Sequence, residues 1–152
     1  FAFLQARFSA ANIRATGSVT ERIADLSGGY PDYVQRLGLE LYFSVGGGGT
    51  ITVEAVERAY EDMVLGLDGE FENCFNAFTP LEREILVALA TGKTQPSEIA
   101  REVRKPIFNI SKTLTTLMNH GVIERPIKAH YRITDPVFAD WLNRRFKPVT
   151  ET

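Results

Sequence analysis

Residues 106–141, PIFNISKTLTTLMNHGVIERPIKAHYRITDPVFADW, constrain the chain more than any other stretch. Ile107, Ile110, Leu114, Leu117 and Met118 recur at three- and four-residue spacing, which marks one face of an α-helix. Pro106 suits the first helical position, where a missing amide hydrogen costs nothing. Gly121 sits where a left-handed cap ends such a helix. Val122–Arg125 and His130–Ile133 read as short strands around a basic turn at Pro126–Ala129. Asp135-Pro136 stops the second strand and starts another helix.

Two further helices precede this stretch. Thr79-Pro80-Leu81-Glu82 combines an N-cap, a first-position proline and a capping-box glutamate. Ile85, Leu86, Ala88 and Leu89 then face inward, and Gly92 ends the helix. Gln95-Pro96-Ser97 opens a shorter one with Ile99, Ala100 and Val103 apolar, and Arg104-Lys105 is the turn into the next. Helix, helix, helix, hairpin is the order of a winged helix-turn-helix with a two-stranded β wing, predicted for residues 76–152. Lys147 to Thr152 reads as a frayed tail.

The N-terminal half is also mainly α. Phe1 to about Ala15 is amphipathic, with Phe1, Leu4, Phe8, Ala11 and Ile13 apolar. A second helix opens at Thr20-Glu21, contains Ile23, Ala24 and Leu26, and closes at Ser27-Gly28-Gly29. A third opens at Tyr30-Pro31 and buries Tyr33, Val34, Leu37, Leu41 and Tyr42. The fourth is capped by Thr52, with Val53, Val56, Ala59, Tyr60 and Met63 inside. Gly46 to Gly49 reads as a flexible loop; no Lys-Ser/Thr follows, so it does not match a phosphate-binding loop. Phe71, Phe75 and Phe78 form an aromatic stripe, predicted to join a first domain, residues 1–75, to the second.

Several function classes are excluded. No apolar run is long enough to cross a membrane, and 44% hydrophobic with 24% charged residues is the balance of a soluble globular protein, expected in the cytoplasm with no membrane partner. The lone cysteine, Cys74, allows no internal disulfide and reads as a small buried residue among Phe71, Phe75 and Phe78. His120 and His130 lack partners at ligand spacing, so no metal site is expected. His120 reads as a helix C-terminal residue, His130 as wing surface. No nucleophile, base and orienting acid occur together, so no catalytic residue is assigned. The chain opens FAFLQARF, without Met and already in helical phase, and reads as an excised piece of a larger protein.

Charge is unevenly distributed. Residues 1–78 carry five Lys/Arg against eleven Asp/Glu, net −6; residues 79–152 carry twelve against eight, net +4. The basic half coincides with the winged-helix pattern, as a phosphate-contacting module requires. On duplex DNA its third helix would enter the major groove. Asn109, Lys112, Thr113 and Thr116 project from that helix. Lys112 suits phosphate or guanine, and Asn109 suits adenine. Arg104, Lys105, Arg125 and Lys128 are phosphate candidates. Thr113, Thr115 and Thr116 make the face unusually neutral, so a protein-docking surface is the alternative.

Three segments together resemble one family. Residues 23–35, IADLSGGYPDYVQ, resemble the Gly-x-Pro segment in the helical lid of AAA-like P-loop ATPases of the STAND and archaeal-ATPase type. Leu81 to Ala90 with the winged helix resembles their C-terminal extension. Residues 134–142, TDPVFADWL, are similar to their Asp-Pro-x-Phe-x-x-Trp closing motif. The resemblance implies a helical lid followed by a winged helix, with a nucleotide-binding core upstream in the same chain. That core would hold ATP and magnesium; these residues contain no G-x-x-x-x-G-K-[ST] and are expected to hold neither and to catalyse nothing themselves. The resemblance puts Gly29, Tyr30 and Pro31 near the adenine. Arg36 matches no sensor position and reads as a surface arginine. The rival readings are a stand-alone transcription-regulator module and a protein-docking scaffold.

Overall fold

The computed structural model describes residues 2–147. Phe1, the expected start of the first helix, and residues 148–152 of the expected tail lie outside them. Among the described residues the chain is mainly helical, with two small two-stranded sheets. It divides into two compact units, Phe1–Leu67 and Asp68–Thr152.

In the first unit α1 (Ala2–Ala10) stops before Ala15 because Asn12 adopts a left-handed φ of 57° and the chain then extends into β1 (Arg14–Ala15). β1 pairs in parallel with β2 (Thr50–Ile51), Arg14 opposite Thr50 and Ala15 opposite Ile51. The glycine run delivers β2 to that position. Gly46 and Gly48 take φ of 68° and 85°, which a side chain would strain. The Gly48 amide donates to the Ala11 carbonyl at 3.2 Å, and the Arg14 amide to the Gly49 carbonyl at 2.9 Å. The run, read from sequence as a flexible loop, is thus tied by hydrogen bonds to the segment after α1.

α2 (Gly17–Ser27), α3 (Pro31–Val45) and α4 (Val53–Gly66) bury Val19, Ile23, Leu37, Leu41, Val56, Tyr60 and Met63. Gly38 lets α1 approach α3: a Cβ there would lie 2.5 Å from Leu4 Cδ1. Arg22 on α2 pairs with Glu57 on α4, and the hydrogen bond it donates to that carboxylate raises the pKa of the guanidinium. Tyr42, expected inside, is exposed beside Phe43. The inward stripe of α3 is Tyr33, Leu37 and Leu41, and the next residue lies a 100° step away from it.

The second unit runs α5 (Asp68–Asn76), α6 (Pro80–Ala90), α7 (Pro96–Val103), α8 (Ile107–Asn119), β3 (Ile123–Ile127), β4 (His130–Ile133) and α9 (Pro136–Phe146). Local capping fixes several boundaries. Thr79 Oγ1 accepts from the Glu82 amide at 3.2 Å while Glu82 Oε1 accepts from the Thr79 amide at 2.8 Å. At the end of α8, Gly121 (φ 73°) donates to the Met118 carbonyl and Val122 to that of Leu117, a Schellman motif. Pro106 is the N-cap of α8 and not its first helical residue.

Ile85, Leu86, Ile99, Ile110, Leu114, Leu117, Val137 and Leu142 form the core of this unit. β3 and β4 are antiparallel, with Ile123 opposite Ile133 and a register irregularity between Glu124 and Ile127. α5 packs here, through Phe71 and Phe75 against Phe138, Trp141 and Phe146 of α9. Phe78 lies beyond the end of α5 and outside that cluster.

Asp135 Oδ1 accepts from the amides of Val137 and Phe138, at 2.9 and 3.1 Å, and so starts α9. Asp135→Ala should lower stability by about 1 kcal/mol. Urea denaturation followed by circular dichroism should show an earlier midpoint, with most of the loss recovered in Asp135→Asn.

Candidate functional site

In the first unit the segment between α2 and α3 is built by Ser27. This buried serine accepts the Gly29 amide on Oγ at 3.1 Å, and its carbonyl accepts the Tyr30 amide at 3.3 Å. Gly28 and Gly29 take φ of 64° and 76°, and a Cβ on Gly29 would meet nothing within 4 Å. Tyr30 is the N-cap residue of α3 and 37% exposed, its ring edge-on to Tyr33 at 6.0 Å. Pro31 opens the helix. Gly29, Tyr30 and Pro31 thus form one exposed step with an aromatic and an apolar ring. The next acid, Asp32, pairs with Arg36 at 3.3 Å.

In the second unit Arg104 takes a left-handed φ of 60° as the C-cap of α7, and the Lys105 amide donates to Ala100 at 3.2 Å. Both side chains are exposed immediately ahead of α8. Along α8, Asn109, Lys112 and Thr116 are exposed and Thr113 is half-buried. Two apolar residues accompany them. Ile107, expected in the core, is 54% exposed, and Phe108 is 73% exposed. Steps of 100° put Phe108 and Lys112 opposite the buried Leu114 and Leu117, one turn apart at the centre of the outer face. Sequence reasoning passed over Phe108; its phase against Ile110, Leu114 and Leu117 was the available signal.

Two hydroxyls of this helix are engaged by its own backbone. Thr115 Oγ1 donates to the Ser111 carbonyl at 3.0 Å and Thr116 Oγ1 to that of Lys112 at 3.3 Å. The remaining sequence-predicted cations lie on the hairpin. Arg125 stands over the Tyr131 ring, 5.9 Å from its centroid, and Lys128 is exposed beside Ala129, whose φ is 67°. Arg132 is neutralised by Glu124 across the strands.

His130 is not the surface residue expected. It is half-buried, with Nδ1 2.9 Å from Thr94 Oγ1 and Nε2 3.4 Å from Gln95 Nε2. Both ring nitrogens are thus engaged by side chains of the loop after α6. The Tyr131 amide adds a bond to the Thr94 carbonyl at 2.9 Å, tying the hairpin to the loop after α6. Cys74 is exposed and not buried. Among the described residues no group of three or more His, Cys, Asp or Glu is placed to hold a metal ion, and no helix is long and apolar enough to cross a membrane. Each unit also carries an open cleft. The one of about 740 Å³ in the first unit is lined by Phe3, Phe8, Leu39 and Phe43 among others. The one of about 430 Å³ in the second includes Phe75, Val87, Phe146 and the charged Arg83 and Glu102.

Residues 68–142 match the model of a family described as a domain of unknown function (DUF8462). The match begins where the second unit begins. No curated protein matches the chain. A Walker-type ATPase of Pyrococcus abyssi has a similar structure, with a TM-score of 0.72 and 24% identity over 93% of this chain. What the two share at that identity is the fold. The chain spans 40% of the length of that ATPase chain.

The Cys74 thiol is pushed up from its ordinary pKa, first by partial desolvation and then by the Asp135 carboxylate. A raised pKa means less thiolate at a given pH. Iodoacetamide at pH 8 should therefore alkylate Cys74 more slowly than free cysteine, despite its exposure. The rate should keep rising at pH values where free cysteine has levelled off, and Asp135→Asn should speed it.

Proposed function

We propose that this chain is the C-terminal regulatory part of a P-loop ATPase of the STAND or archaeal-ATPase type. The observation that carries the reading is the structural likeness to a Walker-type ATPase over 93% of the chain. The ordered motifs at residues 23–35, 81–90 and 134–142 support it from the sequence side.

In this reading the first unit is the helical lid. It senses a nucleotide held by a core elsewhere in the same polypeptide, where ATP and magnesium bind. Gly29, Tyr30 and Pro31 lie beside the adenine. Their support is chemical: an open glycine backbone and two exposed rings suit a neutral base. These residues supply no catalytic group. The second unit is a winged helix, with α6, α7 and α8 as the helical part and β3–β4 as the wing. It passes the nucleotide state to duplex DNA or to a protein.

The parent reading frame should encode a Gly-x-x-x-x-Gly-Lys-Ser/Thr loop upstream of Phe1; a frame without one sinks the proposal. In the polypeptide that carries that loop, Tyr30→Ala should weaken ATP binding roughly 2- to 12-fold, the worth of one aromatic contact. Isothermal titration with ATP and magnesium measures it. Arg36→Ala should leave the affinity unchanged.

A further inference from the structure

The outer face of α8 is chemically mixed in a way that duplex DNA does not call for. Its centre is Phe108; Ile107 flanks it in the first turn, a 100° step towards the buried side, and both are more exposed than covered. Base-edge readers are few. The Thr115 and Thr116 hydroxyls donate to their own helix, which leaves Asn109, Ser111 and Lys112 as the exposed donors of its first two turns. Dedicated readers place several bidentate donors there.

Cations frame the apolar pair. Arg104 and Lys105 precede it, and Lys112 follows Phe108 by one turn. The described residues give none of these three an ion-pair partner, whereas Arg132 on β4 is satisfied by Glu124. No carboxylate occurs anywhere along α8, and Pro106, its N-cap residue, offers no side-chain acceptor to the first-turn amides. An apolar centre with a positive rim and an uncapped helix start complements one kind of surface: apolar in the middle and negative around it.

We infer that Ile107 and Phe108, rimmed by Arg104, Lys105 and Lys112, form a docking surface for an acidic amphipathic helix of a protein partner. Apolar side chains of that helix at i, i+3 and i+4 cover Phe108 and Ile107, and its carboxylates meet the three cations. Phe108 is the anchor, because a large aromatic desolvated at the centre of a contact carries most of its binding. The inference rests on reading the second unit as an output module and is independent of the ATPase assignment.

The test is fluorescence anisotropy on the whole chain at low salt with three labelled probes. They are a helix-forming peptide with Leu and Phe on one face and Glu elsewhere, the same peptide with Gln for Glu, and a duplex DNA. The acidic peptide should bind at micromolar concentration and the Gln peptide at least several-fold more weakly. Phe108→Ala should weaken the acidic peptide about tenfold or more, and Lys105→Glu with Lys112→Glu should do the same. These side chains are exposed, so unchanged circular dichroism should accompany each loss. Acidic-peptide binding that survives Phe108→Ala overturns the inference, since charge alone then accounts for it. Duplex binding that is lost in Lys112→Ala, with no peptide binding, overturns it and leaves the output-module reading intact. Binding of neither probe overturns both.

Discussion

The second unit depends on the hydrogen bond of one buried indole. Trp141 is almost wholly buried, and its N–H must find an acceptor or stay desolvated at a cost of about 1–3 kcal/mol. Asp68 Oδ1 provides it at 2.8 Å, from the first residue of α5. That bond ties the beginning of the unit to its last helix. Around it Phe138 stacks on Trp141 at 5.9 Å, Phe71 tilts against it at 5.8 Å and Arg145 lies over it at 5.2 Å. Arg145 also reaches Glu72 at 3.1 Å, so α5 is gripped through charge and through ring contact. α9 in turn holds the end of α6, where Asn143 Nδ2 donates to the Ala90 carbonyl at 2.9 Å. The frame on which α7 and α8 are mounted is thus closed from both ends.

Much of this was readable because it is local. Thr52, Thr79 and Asp135 start helices through side chains that bond amides two or three residues on. Such contacts are decided by neighbours in sequence, so residue identity suffices. The pairing of Arg14 with Thr50 had no such signature: two-residue strands show no periodicity, and the partner lies across α2 and α3. Ile107 fails for a different reason. Periodicity gives the phase of a helix and not how far its neighbours cover it, and the first turn of α8 is uncovered. Tyr42 and Cys74 each sit a partial turn off the stripe that their neighbours occupy.

The site followed the same division. The exposure of Asn109 and Lys112 came from helical phase alone, as did that of Arg104 and Lys105 from their place in a turn. The Gly29-Tyr30-Pro31 step was recognised as a motif, but its support was not. Ser27 lies inside the unit and bonds backward and forward to shape the turn, which spacing does not announce. His130 looked like a wing residue because nothing near it in sequence binds it; its partners, Thr94 and Gln95, come from the loop after α6. The exposed apolar residues at the start of α8, Ile107 and Phe108, were what pattern reading placed wrongly or passed over.

Binding of the hairpin to that loop has a consequence for self-association. With the Tyr131 amide bonded to Thr94, the outer side of β4 is already engaged, and β3 is left as the open edge of the two-stranded sheet. Pro126 stands within β3 and has no amide hydrogen to offer an incoming strand. Arg125 and Lys128 bracket it with positive charge, and the register irregularity up to Ile127 interrupts the regular spacing that a second chain would match. An edge built this way resists templating by another β-strand. The hairpin can stay solvent-facing without seeding aggregation.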